Sequence, residues 1–349
     1  MDLDALPIRL LSPLDGARSA LFRALGPSVG VWAARRDLRV AAIGLFAMTT
    51  ALFGAAFVPV WMLAFGPIVL GVPHILADLR YLVAKPGFHK RGLGALGIAA
   101  LLAGSALTGM LAPGIGAVLL TAFVARGSLA RKAIVVVLGL VWLSVTLQYR
   151  GWSEFAFAHA HNLIAVLLFW SWRDRGSSLH RIPLVFFGAV VAMFALGMFD
   201  ESALAAPVFG ATMPMFVRDL GANLSGPWGL RLVLIYAFAQ SVHYGVWLRL
   251  VPEEDRERPA PRGFASSYKA LVRDVGRPLL ALALVSLVAL IAWALFDLVS
   301  ARSGYLRLAI FHGPLELVAA AFFFIERVRP AVASQNGMHE ERSRVTPTT

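Results

Sequence analysis

Long apolar segments separated by short polar stretches fill the chain from about residue 40 to residue 326. A helix needs about 20 residues to cross the hydrocarbon core of a bilayer. The pattern therefore predicts ten candidate membrane segments, at 40–57, 60–83, 92–111, 114–126, 132–148, 154–172, 182–199, 230–250, 278–299 and 305–326. The segment at 114–126 is too short to cross by itself, which leaves a re-entrant segment or a tilted helix. The predicted fold class is all-α, a polytopic transmembrane helix bundle.

The regions on either side of this pattern have a different composition. Residues 1–38 mix Leu and Arg, and residues 17–25 could form a short amphipathic helix on the membrane surface. Residues 251–277 and 330–349 are polar and rich in Pro, Arg and Ser, which is typical of a loop and of a disordered tail. The predicted organisation is a cytoplasmic, interfacial segment at 1–38, a transmembrane domain at 39–329 and a disordered cytoplasmic tail at 330–349.

Composition places the chain among integral membrane proteins. It is 58% hydrophobic and 15% charged, with a mean hydropathy of +0.72. The net charge of +12 could indicate nucleic acid, but no basic stripe carries interleaved aromatic residues, so the expected partner is the lipid bilayer. Basic residues fall in every second loop, which by the positive-inside rule predicts that both termini are cytoplasmic. The expected location is a bacterial inner membrane. The half-apolar loop at 200–229 is either a lid on the outer face or an ordinary interfacial loop.

Five of the eight histidines lie inside the predicted membrane segments, namely His74, His159, His161, His243 and His312. Ionisable side chains at membrane depth are costly, so they usually line a site, a pore or a proton path. The chain has no cysteine, which excludes disulfides and thiolate metal ligands. Imidazoles from several helices beside carboxylates indicate a metal site inside the membrane.

Two of these histidines have a carboxylate four residues later. His74 is followed by Asp78, and His312 is followed by Glu316. Positions i and i+4 share one face of a helix, so each carboxylate could bind the same ion as its histidine or orient the imidazole. An ion pair between Asp78 and Arg80 is an alternative for the first carboxylate. Asp78 and Glu316 are the predicted catalytic carboxylates.

His159 and His161 are two residues apart on one helix, which places their side chains about 200° apart around the axis. Both should not reach a single ion unless the helix is distorted. One of them could be the ligand while the other packs elsewhere, and the spacing does not decide which. Asn162 could bond to a ring nitrogen.

Aromatic residues surround Gln240 and His243 in the segment at 236–247. They are Tyr236, Phe238, Tyr244 and Trp247. These side chains could line a channel for an apolar substrate, or they could be ordinary helix packing. An intramembrane site without a glycine-rich phosphate loop favours a long apolar molecule over a charged metabolite.

The sequence Gly71-Val-Pro-His-Ile-Leu-Ala-Asp78 resembles a motif of the Brp/Blh-type membrane β-carotene 15,15′-dioxygenases, in which Gly-x-Pro-His is followed by Asp four residues later. The stretch from Tyr236 to His243 is loosely similar to a later motif of the same family. The chain departs from the family at Ile75-Leu76 and lacks a second histidine near His243. The resemblance implies a polytopic protein with non-haem iron that uses O2 to cleave a carotenoid to retinal.

Three functional hypotheses follow. In the first, His74, His159, His243 and His312 hold Fe(II) in a membrane oxygenase that acts with O2 on a lipid-soluble substrate. Imidazole also suits copper and zinc, so iron follows from the resemblance. The second hypothesis is a haem-binding electron-transfer protein with paired axial histidines. The third is a proton-coupled transporter that uses the same side chains as a relay.

Overall fold

The computed structural model of the chain describes residues 5–173, 177–202, 206–222, 224, 226–257 and 261–331. Within these residues the fold is all-α, apart from an isolated bridge between Val208 and Ala211. The helices are α1 (Ala5–Ala24), α2 (Pro27–Ala34), α3 (Arg36–Phe57), α4 (Pro59–Asp78), α5 (Gly92–Thr108), α6 (Leu111–Val124), α7 (Leu129–Gln148), α8 (Arg150–Ser171), α9 (Arg181–Ala195), α10 (Met213–Leu220), α11 (Trp228–Gly245), α12 (Val251–Glu254), α13 (Phe264–Phe296), α14 (Leu298–Leu308) and α15 (His312–Glu326). Helices α4 and α11 continue into π-helical turns at Leu79–Ala84 and Val246–Leu250.

Each of the ten predicted membrane segments falls on a helix of this bundle. Among the described residues, six helical segments are long and apolar enough to cross a membrane: Arg36–Phe57, Pro59–Ala84, Leu129–Gln148, Ser178–Ala195, Phe264–Phe296 and Leu298–Glu326. Helices α5 and α6 are apolar but shorter. Helices α8 and α11 are less apolar because they carry His159, His161, Asn162, Gln240 and His243. The chain is therefore a helical membrane protein, as predicted, and the number of full crossings stays a prediction.

The stretch at 251–277 contains more helix than its polar composition indicated. It includes α12 and the first part of α13, which bends at Gly276, where φ is 78°. A tertiary contact stabilises the start of α13, since Asp15 of α1 accepts hydrogen bonds from the backbone N–H groups of Phe264 and Ala265. The bond from Phe264 is the main cause of the lowered pKa of Asp15. The predicted disordered tail falls largely at 332–349, outside the described residues.

Ion pairs join the basic loops at one end of the bundle, which we call the basic end. The pairs are Arg39 with Glu253, Arg80 with Asp274, Lys85 with Asp255 and Arg91 with Glu326. They connect α3 with α12, the π-helical turn after α4 with α13, and the loop at 85–91 with the end of α12 and the end of α15. At the opposite end, Arg231 pairs with Asp200, and Ser202 Oγ donates to the carbonyl of Ala56. These contacts bring Arg39, Arg80, Lys85 and Arg91 to one end of the bundle, and the full alternation of the loops stays a prediction.

Part of the half-apolar loop at 200–229 is an ordered helix. Helix α10 begins with Thr212 as its cap, whose hydroxyl accepts a hydrogen bond from Met215 N. Its apolar face is buried on the bundle through Met213, Phe216 and Leu220. The guanidinium of Arg302 in α14 lies 4.8 Å from the centre of the Phe216 ring. The loop is thus anchored at α10, while residues 203–205, 223 and 225 lie outside the described part of the chain.

Single cysteines should test this arrangement. The chain has no cysteine of its own, so His89→Cys at the basic end and Arg218→Cys at the other end each introduce a lone thiol. Both positions are exposed. We expect an impermeant maleimide to label Arg218→Cys from outside intact cells and His89→Cys only after the inner membrane is opened, because cytoplasmic loops collect Lys and Arg. Labelling of both thiols from the same side would contradict the topology.

Candidate metal centre

Four histidines from four helices meet in the interior of the bundle, three of them buried and His312 partly buried. They are His74 of α4, His161 of α8, His243 of α11 and His312 at the start of α15. Neighbouring ring centres are 4.7 Å apart for His74 and His243, 5.1 Å for His243 and His161, 5.1 Å for His161 and His312, and 4.9 Å for His312 and His74. The four imidazoles therefore form a closed ring of side chains that we call the histidine cluster.

Two carboxylates complete the cluster. His74 Nε2 lies 2.8 Å from His243 Nε2 and 3.2 Å from Asp78 Oδ2. His243 Nε2 lies 3.4 Å from Glu316 Oε1. Ligand atoms of His74, His243 and His312 fall within 4.8 Å of one another, and so do those of His74, Asp78 and Glu316. Asp78 thus lies beside His74, its i, i+4 partner, whereas the contact of Glu316 is with His243 of another helix.

Backbone carbonyls fix the orientation of two imidazoles. His312 Nδ1 donates to the carbonyl of Ala309 at 2.5 Å, and His161 Nδ1 donates to the carbonyl of Ala158 at 2.9 Å. Because a carbonyl only accepts, the hydrogen of each neutral ring is on Nδ1, which leaves the Nε2 lone pair free. Metal-binding histidines commonly make this second hydrogen bond, since it sets both the tautomer and the ring orientation.

Several polar atoms of the cluster have no protein partner in the described part of the chain. Glu316 Oε1 accepts a hydrogen bond of 2.7 Å from Trp247 Nε1, but Glu316 Oε2 accepts none. Neither oxygen of Asp78 accepts a hydrogen bond, although its side chain is fully buried. Burying acceptors without partners costs free energy, and buried carboxylates are usually paired with cations or coordinate metals. The cluster therefore has the unmet acceptor capacity that a metal ion would satisfy.

Three contacts between ligand atoms of the cluster have separations that suit neighbouring ligands of one ion. Two ligand atoms that lie about 2.0–2.2 Å from one ion, at 90–109° to each other, are separated by roughly 2.8–3.6 Å. The three contacts of 2.8, 3.2 and 3.4 Å around His74, Asp78, His243 and Glu316 fall in this range. The donors are nitrogen and oxygen, and this set suits iron, copper and zinc. The buried His74, His243 and His312 group could hold a metal ion whose identity the donors alone do not fix.

His159 lies outside the cluster. Its Nε2 lies 3.1 Å from the carbonyl of Leu220, and its ring contacts Phe155 and Tyr236. His161, two residues later, faces the other histidines. The structure therefore separates the two side chains, as the 200° spacing indicated. It places His161 beside His243 and His312, in the position that the first hypothesis gave to His159.

The alternative pairing of Asp78 with Arg80 is not formed. Arg80 donates through Nε and Nη2 to Asp274 Oδ2 of α13, at 3.0 and 2.8 Å. Because the guanidinium is held by a carboxylate 194 residues away in sequence, Asp78 stays turned towards His74. No feature of the local sequence identified Asp274 as this partner.

A small cavity of about 30 Å³ adjoins the histidines. Its lining includes Tyr236 and Tyr244, two of the four residues of the predicted substrate channel, together with Asn162, Gln240 and Tyr305. The channel itself stays a prediction. A cavity needs roughly 10–15 Å³ to hold one water molecule, so this one has room for a small molecule such as water or O2. The other two predicted lining residues lie elsewhere. Phe238 packs against Phe187 and Phe194 in the core, whereas Trp247 contacts Glu316.

Tyr305 was not identified from the sequence, although the glycine at position 71 indicates that another part of the chain approaches α4 closely there. A Cβ atom added at Gly71 would lie 2.3 Å from the Tyr305 hydroxyl, so only glycine lets this ring approach α4. Gly71 precedes His74 by three residues and therefore lies near the same face of the helix. The glycine of the Gly-x-Pro-His sequence thus makes room for a tyrosine that lines the cavity.

The cluster comprises His74, His161, His243 and His312 with Asp78 and Glu316, all placed by helices that are distant in sequence. Its chemistry follows from the geometry of these side chains, which present imidazole nitrogens and carboxylate oxygens in an interior with unmet acceptors. No protein-family model, curated protein or solved structure matches the chain.

Proposed function

We propose that the protein is a membrane oxygenase that uses an iron ion in the histidine cluster, together with O2, to oxidise a lipid-soluble substrate. The observation that carries the proposal is the convergence of four imidazoles, three of them buried, and two buried carboxylates inside a helical membrane protein. Iron held there would supply the redox chemistry that reaction with O2 requires. Copper or zinc would suit the same donors, so iron is supported mainly by the Gly71–Asp78 resemblance.

The side chains of the cluster have distinct roles in this proposal. His74, His161, His243 and His312 are the ligand candidates, and the carbonyls of Ala158 and Ala309 keep two of these rings in place. Asp78 and Glu316 balance the charge of the ion and orient the imidazoles from beside them. Trp247 holds Glu316 Oε1, which leaves Oε2 as an acceptor for a proton or a ligand.

A carotenoid is the substrate that the resemblance to the dioxygenases favours. Cleavage of β-carotene breaks the central carbon–carbon double bond, and each of the two carbons receives one oxygen atom from O2. One carotenoid and one O2 then give two molecules of retinal without an external reductant. The cavity beside the histidines has room for O2, so a long substrate requires the lining side chains to move apart.

The geometry disfavours the haem hypothesis. Two imidazoles on opposite sides of one haem iron have their nitrogens about 4 Å apart, since each bond is roughly 2 Å, and the porphyrin lies between them. His74 Nε2 and His243 Nε2 are only 2.8 Å apart, and their rings meet edge to face. This spacing favours neighbouring ligands on one side of an ion over axial ligands.

Expression in cells that accumulate β-carotene tests the proposed reaction. We expect the orange colour to fade and retinal to appear in extracts, in a manner that depends on O2 and on iron. His312→Ala should leave the colour unchanged, whereas His89→Ala, in an exposed loop, should behave like the wild type. Unchanged β-carotene in a well-expressed, iron-replete culture would exclude this substrate and leave the metal site intact. Hydroxylation or desaturation of another lipid would then be the leading reaction.

A further inference from the structure

A second and larger cavity lies at the basic end of the bundle. Its volume is about 420 Å³, and its walls come from α1, α4, the turn after α11 and the first part of α13. Apolar side chains form one part of the lining, including Leu11, Leu76 and Leu271. This apolar part is continuous with a cationic part at the surface of the bundle.

Four arginines line the cationic part, namely Arg80, Arg249, Arg256 and Arg262. The described lining residues include no Asp or Glu. Arg80 and Arg256 are paired outside the lining with Asp274 and Glu253. Arg249 reaches Glu253 only at 3.5 Å and is half-exposed. Arg262 is exposed and forms no ion pair with the described residues. The cationic part of the lining therefore carries positive charge that no carboxylate of these residues balances.

The two parts together suit an amphiphile with an acidic head. Arginine binds phosphate and carboxylate through directed, charge-assisted hydrogen bonds, and the apolar wall would remove an acyl chain from water. Helix α1 covers this cavity through Leu11, and it is held there by the bonds from Phe264 and Ala265 to Asp15. In addition, Arg18 donates to the carbonyl of Arg262.

We propose that this cavity binds an anionic lipid from the leaflet at the basic end. The acidic head group lies at Arg249, Arg256 and Arg262, and an acyl chain lies along Leu76 and Leu271. Pro73, Ala77 and Trp247 form a wall shared with the histidine cluster, since they adjoin His74 and Asp78 in sequence or bond to Glu316. The lipid therefore packs behind the carboxylates without touching the candidate metal ligands.

Native mass spectrometry of the full-length protein in neutral detergent tests this site. Phosphatidylglycerol and phosphatidylcholine with identical acyl chains are the probes, and inorganic phosphate is added as a separate competitor. We expect a phosphatidylglycerol adduct that survives excess phosphate and a phosphatidylcholine adduct at least tenfold weaker. Equal binding of the two lipids would overturn the proposal. Displacement of the lipid by millimolar phosphate would also do so, because it would show recognition of the head group alone.

Two double variants distinguish binding at this cavity from attraction of the lipid to surface charge in general. The double variant Arg249→Gln/Arg262→Gln should weaken phosphatidylglycerol binding roughly 10- to 30-fold, from about 1 kcal/mol for each cation near a membrane surface. The matched variant Arg181→Gln/Lys269→Gln removes the same charge from exposed positions at the same end and should bind as the wild type does. Similar losses in both double variants would contradict the assignment to this cavity.

A steric substitution provides a second, independent readout. Leu271→Trp fills the apolar part without changing the charge, and it should abolish the adduct while the protein keeps its metal content and its melting temperature. Retention of full phosphatidylglycerol binding by a folded Leu271→Trp protein would place the acyl chain elsewhere and overturn the proposal. Because metal content is measured in the same samples, a failure of the lipid site is distinguishable from a failure of the metal centre.

Discussion

Alanine in place of His74 or His312 is expected to abolish metal binding. The wild-type protein should retain close to one transition-metal ion per chain after purification. His74 belongs to both groups of closely spaced ligand atoms, and His312 supplies the third imidazole of the first group. Removing either imidazole deletes a ligand and leaves its neighbours buried without a cation, which is costly in a membrane interior. Each substitution should therefore lower the metal content to near zero.

Elemental analysis of the purified variants measures this result, with His159→Ala as the matched control. His159 lies on the same helix as His161, but it faces the carbonyl of Leu220 and not the cluster. The control should keep its metal, whereas His161→Ala should reduce the metal content. If His74→Ala and His312→Ala were folded and kept a full complement of metal, the shared site would be excluded.

Glu316→Gln is expected to weaken metal retention 10- to 100-fold, the usual effect of removing a group that orients metal ligands. Glutamine has nearly the same shape and can still accept the hydrogen bond from Trp247, so the packing is preserved while the charge is lost. The remaining ligands should keep some affinity, and the loss should therefore be smaller than in His312→Ala. Competition with a chelator of known affinity gives the apparent dissociation constant of the metal.

Glu154→Gln serves as the control for this second prediction. Glu154 lies in α8, the helix of His161, and pairs with Arg150 at the surface at 2.8 Å. Its neutralisation changes the net charge by the same amount without touching the cluster, so metal affinity should remain that of the wild type. Equal metal affinities for the wild type and Glu316→Gln would show that the Glu316 carboxylate does not contribute to metal binding.

The local pattern of the sequence was sufficient for much of the site. Mean hydropathy and the spacing of apolar segments identified a helical membrane protein, because burial in lipid requires a long apolar run whatever its neighbours are. The i, i+4 relation identified Asp78 beside His74, because it depends only on the pitch of one helix. The same pitch showed that His159 and His161 point in different directions.

Only the tertiary structure decided which helix faces pack against one another in the site. The choice of His161 over His159 depends on how α8 is rotated about its axis, and helical periodicity within one segment does not specify that rotation. The partner of Arg80 is Asp274, and Tyr305 reaches Gly71 from a helix more than 200 residues away. The spacing within one helix thus fixed the pair of His74 and Asp78. Packing between distant helices fixed the contact of Glu316 with His243, the histidine cluster as a whole and the cavity at the basic end.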